Sequence, residues 1–243
     1  MVLLTGLLVL ATGSGGARAE MVVSSSAAGR YITDLAQSHM IHDDIAIVGM
    51  TIGITPRFHR AYLTFDLGSI SEEIAGLTLT GSVSDLRRVV LGPPDFEYRQ
   101  MVVMIREVST PSSEVLAYRT GDNLAVGQAI FNDLGEGTFY SQFTIDNGIP
   151  HGNPFPPIVG PNFEVNLSAA AVAAANQSRT GPNHFVLGFH RVDGGTALVG
   201  NLSAALRVIP VPEPGGLTLL ATASIVLALR ARSRRPRTPR AAR

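Results

Sequence analysis

Six consecutive residues, His39-Met40-Ile41-His42-Asp43-Asp44, gather two imidazoles and two carboxylates, the donor types that suit zinc or another divalent cation. His39 and His42, with Asp43 beside them, could ligate from a turn. The spacing matches no known metal signature and no third ligand is assured, so the run reads as a solvated loop and no metal is assigned. His184 and His190 lie six apart on a predicted strand, hence on one face, and read as surface or satisfied core residues. Oxygen ligands for a structural calcium are available at Asp122-Asn123 and at Asn132-Asp133 with Glu136, but the EF-hand spacing is missing. Asn and Asp also tolerate turn dihedrals, which is the simpler account of both places.

Covalent and hydrolytic chemistry finds less support. The chain has no Cys, which removes a thiol nucleophile, a thiolate metal site and a disulfide framework. No Gly-x-Ser-x-Gly elbow lies near the predicted strands, and Glu72-Glu73, read as a strand doublet, would point to opposite faces. Phosphate-cradling glycine loops are missing too. The reading is therefore a protein that is not an enzyme, with no catalytic residue and no cofactor. With no Trp and 6% aromatic residues, a stacking platform for sugars would have to use Tyr62, Tyr98 or Tyr140.

The elements that must position these residues are mostly strands. Ala61 to Leu67 alternates with period two, putting Ala61, Leu63, Phe65 and Leu67 on one buried face and Tyr62, Thr64 and Asp66 on the other. Similar runs lie at 45–52, 74–83, 98–108, 139–145, 163–167, 184–192 and 197–209. Turn residues separate them at Gly92-Pro93-Pro94-Asp95, Thr110-Pro111, Asp133 to Gly137 and Asp193-Gly194-Gly195. Helices are predicted over 124–133 and over 169–177, the latter an alanine-rich run that Ser168 can cap. Residues 148–161 hold five prolines and should form an exposed loop. Many short strands without a βαβ rhythm predict an all-β fold, a single β-sandwich of jelly-roll type with one or two short helices.

Charge is distributed unevenly along the 243 residues. All 19 basic residues are Arg, and seven of them lie between Arg230 and Arg243. Residues 20–211 carry 18 acidic side chains against 11 Arg, a net charge of about −7, which argues against a nucleic-acid partner.

The two ends carry the most specific text. Val2 to Ala11 is an apolar run followed by small residues and by Ala17-Arg18-Ala19, the h-region and A-x-A cleavage site of a signal peptide, although no positive charge precedes it. Cleavage after Ala19 leaves a mature chain starting at Glu20. At the other end Pro212-Glu213-Pro214 is followed by Gly215 to Leu229 without a charge, and then by Arg230, Arg232, Arg234 and Arg235. As a helix, fifteen residues would measure roughly 22 Å, a minimal span of the hydrocarbon core. The arginines act as a stop on the cytoplasmic side and place everything upstream across the membrane.

This order of Pro-Glu-Pro, apolar span and terminal arginines resembles the PEP-CTERM sorting signal of Gram-negative and related bacteria. The resemblance implies recognition by an exosortase, with processing near Pro212, Glu213 and Pro214 and release from the anchor. Arg60 to Leu67, Val103 to Pro111, Ala129 to Tyr140 with its Phe131-Asn132-Asp133-Leu134-Gly135, and Phe163 to Ala175 also resemble a recurring extracellular domain found ahead of such tails. Three regions are expected: a signal peptide (1–19), an extracellular β-sandwich domain (20–210) and a sorting signal (211–243). The functional expectation is an exported surface or matrix protein, structural or adhesive, transiently membrane-anchored. Its processing partners would be signal peptidase and exosortase, and the resemblance implies an exopolysaccharide setting. The alternatives are a carbohydrate-binding module, with residues 148–161 or 122–137 as its ligand edge, and a secreted hydrolase.

Overall fold

Of the alternating stretch Ala61 to Leu67, residues 61–65 form a strand buried on both faces, and the fold follows from how those two faces are covered. The computed structural model describes residues 20–34, 40–51, 57–88, 100–146, 162–181, 184–192 and 198–211. Within them the strands are β1 (Met21–Ser24), β2 (Ala27–Asp34), β3 (Met40–Asp43), β4 (Ile47–Thr51), β5 (Arg57–Phe65), β6 (Ile74–Arg88), β7 (Gln100–Glu107), β8 (Phe139–Asp146), β9 (Asn162–Asn166), β10 (Phe185–Arg191) and β11 (Leu198–Pro210). The helices are α1 (Ser112–Ala117), α2 (Leu124–Glu136) and α3 (Ala169–Thr180).

All described pairings are antiparallel and belong to one sheet, in the order β8-β7-β10-β5-β4-β11-β6-β9. β1 pairs with β11, β2 with β5, and β3 with β2. Arg57 to His59 pair with both β2 and β4, while Ala61 to Thr64 pair with both β2 and β10. A strand has only two edges, so β4 and β10 share the edge of β5 opposite β2. The sheet forks there and curls until its outer strands meet. The Phe143 ring of β8 stacks on Phe163 of β9 with centroids 4.1 Å apart, and Ser168 N donates to Tyr140 O. The protein is thus all-β in class, a nearly closed antiparallel sheet with few helices.

Leu63 and Phe65 of β5 turn inward to a main core with Leu79, Ile105, Leu187 and Leu206. Tyr62 turns outward, where Tyr31, Val186, Val115, Ile130 and Leu134 form a second cluster under α1 and α2. The expected single buried face of this strand is therefore two, because the outward one is roofed by helices. Ala171 and Ala175 bring α3 into the main core. Its Asn176 carboxamide accepts from Ile74 N at 2.9 Å and donates to Ile74 O at 3.0 Å, closing off the start of β6.

The strands predicted from residue 61 onward appear where expected, within a few residues. α3 extends to Thr180, with Ser168 Oγ accepting from Ala171 N as the cap. Four short elements were not predicted: β1, β2, β3 and α1. β3 buries alternate residues but is only four long, and β2 buries Tyr31, Ile32 and Thr33 in succession, so neither announces itself by alternation. Pro111, expected as a turn residue, instead stands at the N-cap of α1, where its missing N–H costs nothing. Glu72 and Glu73 precede β6 and lie on no strand, which corrects the doublet's predicted placement.

Candidate functional site

The middle of the six-residue His/Asp run is strand and not loop. Met40 to Asp43 is strand β3, and neighbouring residues on a strand project to opposite faces. His42 points into the second cluster, its Nε2 3.0 Å from the Tyr62 hydroxyl, and Thr120 Oγ1 bonds to its backbone on both sides. Asp43 points the other way and takes Arg30 in a bidentate contact, accepting from Nε at Oδ1 (2.9 Å) and from Nη2 at Oδ2 (2.6 Å). These two residues cannot share an ion; His39 lies outside the described residues. Among the described residues, no group of three His, Asp or Glu is placed to hold a metal.

Arg30 also fixes His59. A guanidinium can only donate, so its Nη1, 3.1 Å from His59 Nδ1, makes that nitrogen the acceptor and puts the proton on Nε2. Burial, reinforced by Arg30, lowers the His59 pKa to about 4. The same arrangement recurs at His190, whose Nε2 accepts from Arg106 Nε at 2.9 Å while Nδ1 faces Arg191 O at 3.2 Å. Burial and Arg60 bring His190 to about 4 as well. His184 sits just before β10 and is not on the strand, so it forms no face pair with His190. Of the three described strand histidines, His59 and His190 are each fixed by an arginine and held neutral by burial, while His42 packs among the tyrosines of the second cluster.

Tyr62 and Tyr140 cannot serve as a sugar platform, since they are only 1% and 3% exposed. Burial, then Asp44, pushes Tyr62 up to about 12, so its hydroxyl stays protonated at neutral pH. Tyr98 lies outside the described residues.

The calcium candidates are also resolved as local structure. Asn123 caps α2, its side chain accepting from Ala125 N at 2.9 Å, and Asp122 accepts from Arg119 N at 2.6 Å. Asn132, Asp133 and Glu136 belong to α2 and not to a turn. Ten residues along a helix separate Asn123 from Asp133 by roughly 15 Å, too far for one ion. Asp133 accepts from Ser109 Oγ and Thr110 N, both at 2.7 Å. Burial alone would raise its pKa, but these hydrogen bonds outweigh burial and hold it below the usual carboxylate value.

Phe131 to Gly135 thereby acquires a purpose in every position. Arg60 of β5 stacks its guanidinium 4.2 Å from the Phe131 ring centroid and donates to the carbonyls of Phe131 and Asn132 at 2.7 and 3.1 Å. Leu134 is fully buried, and a Cβ on Gly135 would stand 2.5 Å from Arg60 Cζ. The last turn of α2 contains no basic residue, so the sheet supplies the cations its carbonyl end favours: Arg60, and Arg106, which donates to Gly137 O at 2.8 Å. This segment docks a helix: residues 124–136 form α2, so Asp133 to Glu136, expected in a turn, are helical.

No family model matches the chain, and no curated protein matches it. Function must therefore be argued from this chain's own surfaces.

One surface was missed by motif reading. The outward face of β1, β11, β6 and β9 carries two cross-strand rows: Ser24, Ala205, Thr80 and Glu164 in one, and Ser203, Ser82 and Asn162 in the other. They line a shallow open groove of about 640 Å³. Arg207, in the adjoining row, binds Glu20 through Nε at 2.6 Å and Glu164 through Nη1 at 3.0 Å. A signal existed in the alternation Leu77-Thr78-Leu79-Thr80, continued by Ser82-Val83-Ser84, where every outward residue bears a hydroxyl.

The sequence-predicted ends lie outside the described residues: Ala17, Ala19, Pro212, Glu213, Pro214, the span 215–229 and the terminal arginines. So does the proline-rich segment 148–161. Among the described residues, no helix is long and apolar enough to cross a membrane.

Proposed function

We propose that this chain is an exported protein, trimmed at both ends and released to the cell surface or extracellular matrix, where its β-domain serves a structural or adhesive role without catalysis. The carrying observation is the order Pro212-Glu213-Pro214, uncharged 215–229, then Arg230, Arg232, Arg234 and Arg235, which starts two residues after β11 ends at Pro210. Two prolines hold the junction extended and prevent a membrane helix from running into the last strand, so an enzyme at the interface can reach the backbone. At the front, Ala19 lies immediately before Glu20, whose carboxylate is held by Arg207, and residues 20–210 form one compact unit. Cleavage at the two expected places would leave that unit whole.

The resemblance to the PEP-CTERM signal supplies exosortase and signal peptidase as processing partners, and a bacterial exopolysaccharide matrix as the setting. We read the curled sheet as a jelly-roll-like sandwich opened at β5, with α1 and α2 roofing one layer and, among the described residues, no helix over the outward face of β1, β11, β6 and β9. The decisive experiment replaces Pro212 and Pro214 with Ala and measures intact mass in membrane and extracellular fractions of the host. The wild type should lose both ends and the variant should remain membrane-bound and uncleaved at its rear; identical processing of the two would defeat the sorting reading.

A further inference from the structure

The outward face of β1, β11, β6 and β9 has the chemistry of a binding surface for a polyol. We propose that its groove binds a segment of an uncharged polysaccharide, held by Ser24, Thr80, Ser82, Asn162 and Ser203. The inference gives a ligand to the matrix reading above but rests on separate residues.

Shape comes first: the groove is shallow and open over about 640 Å³, which suits an extended chain laid along the sheet and not a compact molecule enclosed by it. The lining then selects the ligand. Ser82 aligns with Ser203 on one side and Asn162 on the other, and Thr80 with Ala205 and Glu164. Strand spacing of about 4.8 Å and a repeat of about 6.8 Å between alternate residues turn these side chains into a grid of hydroxyls and amides. A hydroxyl can both donate and accept, as do those of a sugar ring; Thr80 Oγ1 donates to Ala205 O at 3.4 Å and so offers a ligand its acceptor side.

Charge removes the acidic alternatives. Two carboxylates, Glu20 and Glu164, share the one guanidinium of Arg207, so the rim is net negative and repels polyanions such as acidic polysaccharides or nucleic acid. A protein partner is disfavoured by side-chain type, since protein interfaces centre on aromatic, Met and Arg anchors. Phe163 borders the groove, but its ring is stacked against Phe143. The exposed aliphatic Val22 lies in the Arg207 row and Ile209 lies beyond it, both outside the groove lining.

The test uses the full chain purified in detergent, so that binding is measured whatever its processing. Its mobility is compared in native gels with and without uncharged dextran, amylose or galactomannan. Val and Thr have nearly the same shape, so the variants S82V/S203V and S82T/S203T differ by two hydroxyls. Circular dichroism melting verifies that both fold. Wild type and the Thr pair should be retarded alike, within about threefold, and the Val pair should bind about tenfold or more weakly, the loss expected for two hydrogen bonds.

Three results would overturn the proposal: no retardation by any of the neutral polymers, equal binding by the Val and Thr pairs, or retardation only by an anionic polymer and only at low salt. Hydroxyl-dependent self-association in place of glycan binding would overturn it as well. If the chain stays unprocessed in its host yet binds in the gel, the sorting reading fails and the groove assignment stands; the converse pattern separates them the other way.

Discussion

Replacing Arg60 with Met would test whether α2 is held to the sheet by the contact described above. Met keeps an unbranched apolar stem and removes the guanidinium. Two charge-assisted hydrogen bonds to the Phe131 and Asn132 carbonyls disappear, at roughly 1.5 kcal/mol each, together with a cation–π contact of about 1 kcal/mol. Against this, a buried charge no longer needs to be kept out of water, a cost reflected in the lowered pKa of Arg60, which burial causes and Glu136 partly opposes. A net loss of about 3 kcal/mol remains. Urea unfolding should report it as a lower midpoint with an unchanged slope.

Gly135→Ala sharpens the test, because its new Cβ would meet Arg60 Cζ at 2.5 Å and should cost roughly 1–3 kcal/mol in the wild type. In the Arg60→Met background that clash is relieved and the cost should fall by at least about 0.5 kcal/mol, the threshold for real coupling. Strictly additive effects, or a loss below about 1 kcal/mol for Arg60→Met alone, would show that the helix is not docked through this side chain.

Acid should destabilise the fold through its buried histidines. The unfolded chain takes up these protons near 6.5 and the folded chain only near 4, so the stabilisation is complete above about pH 6.5 and declines as pH falls to about 4; His59 alone should account for about 3 kcal/mol, and His190, less buried, for less. Urea midpoints at several pH values should therefore fall more gently across that window in His59→Asn, whereas parallel profiles would contradict the assignment. Gly81→Ala would drive a Cβ into Ser203 O and to within 2.6 Å of the Phe163 ring, and a loss of roughly 1–3 kcal/mol is expected by thermal unfolding; an unchanged melting temperature would mean that β6 and β9 can move apart freely.

Much of the strand layout was legible because alternation is a local signal. Leu77 to Val83 and Leu202 to Val208 announce their buried faces residue by residue, and Ser168 announces the start of α3. The misreadings have a common cause. Asp133 to Gly137 contains turn-forming residues, yet the sequence continues as helix because Arg60 and Arg106, 76 and 30 positions from Glu136, satisfy its carbonyl end. His42 and Asp43 look like joint ligands until β3 pairs with β2 and sends them to opposite faces.

From the sequence alone come the apolar and charged order of the two ends, the exclusion of thiol chemistry, the net negative charge of residues 20–211 and the all-β class, since each depends only on composition or on short-range spacing. Only the tertiary structure decided which polar residues meet. Ser24, Ser82, Asn162 and Ser203 come from four strands far apart in the chain, and strand register, set by which faces can be buried together, brings them into one groove.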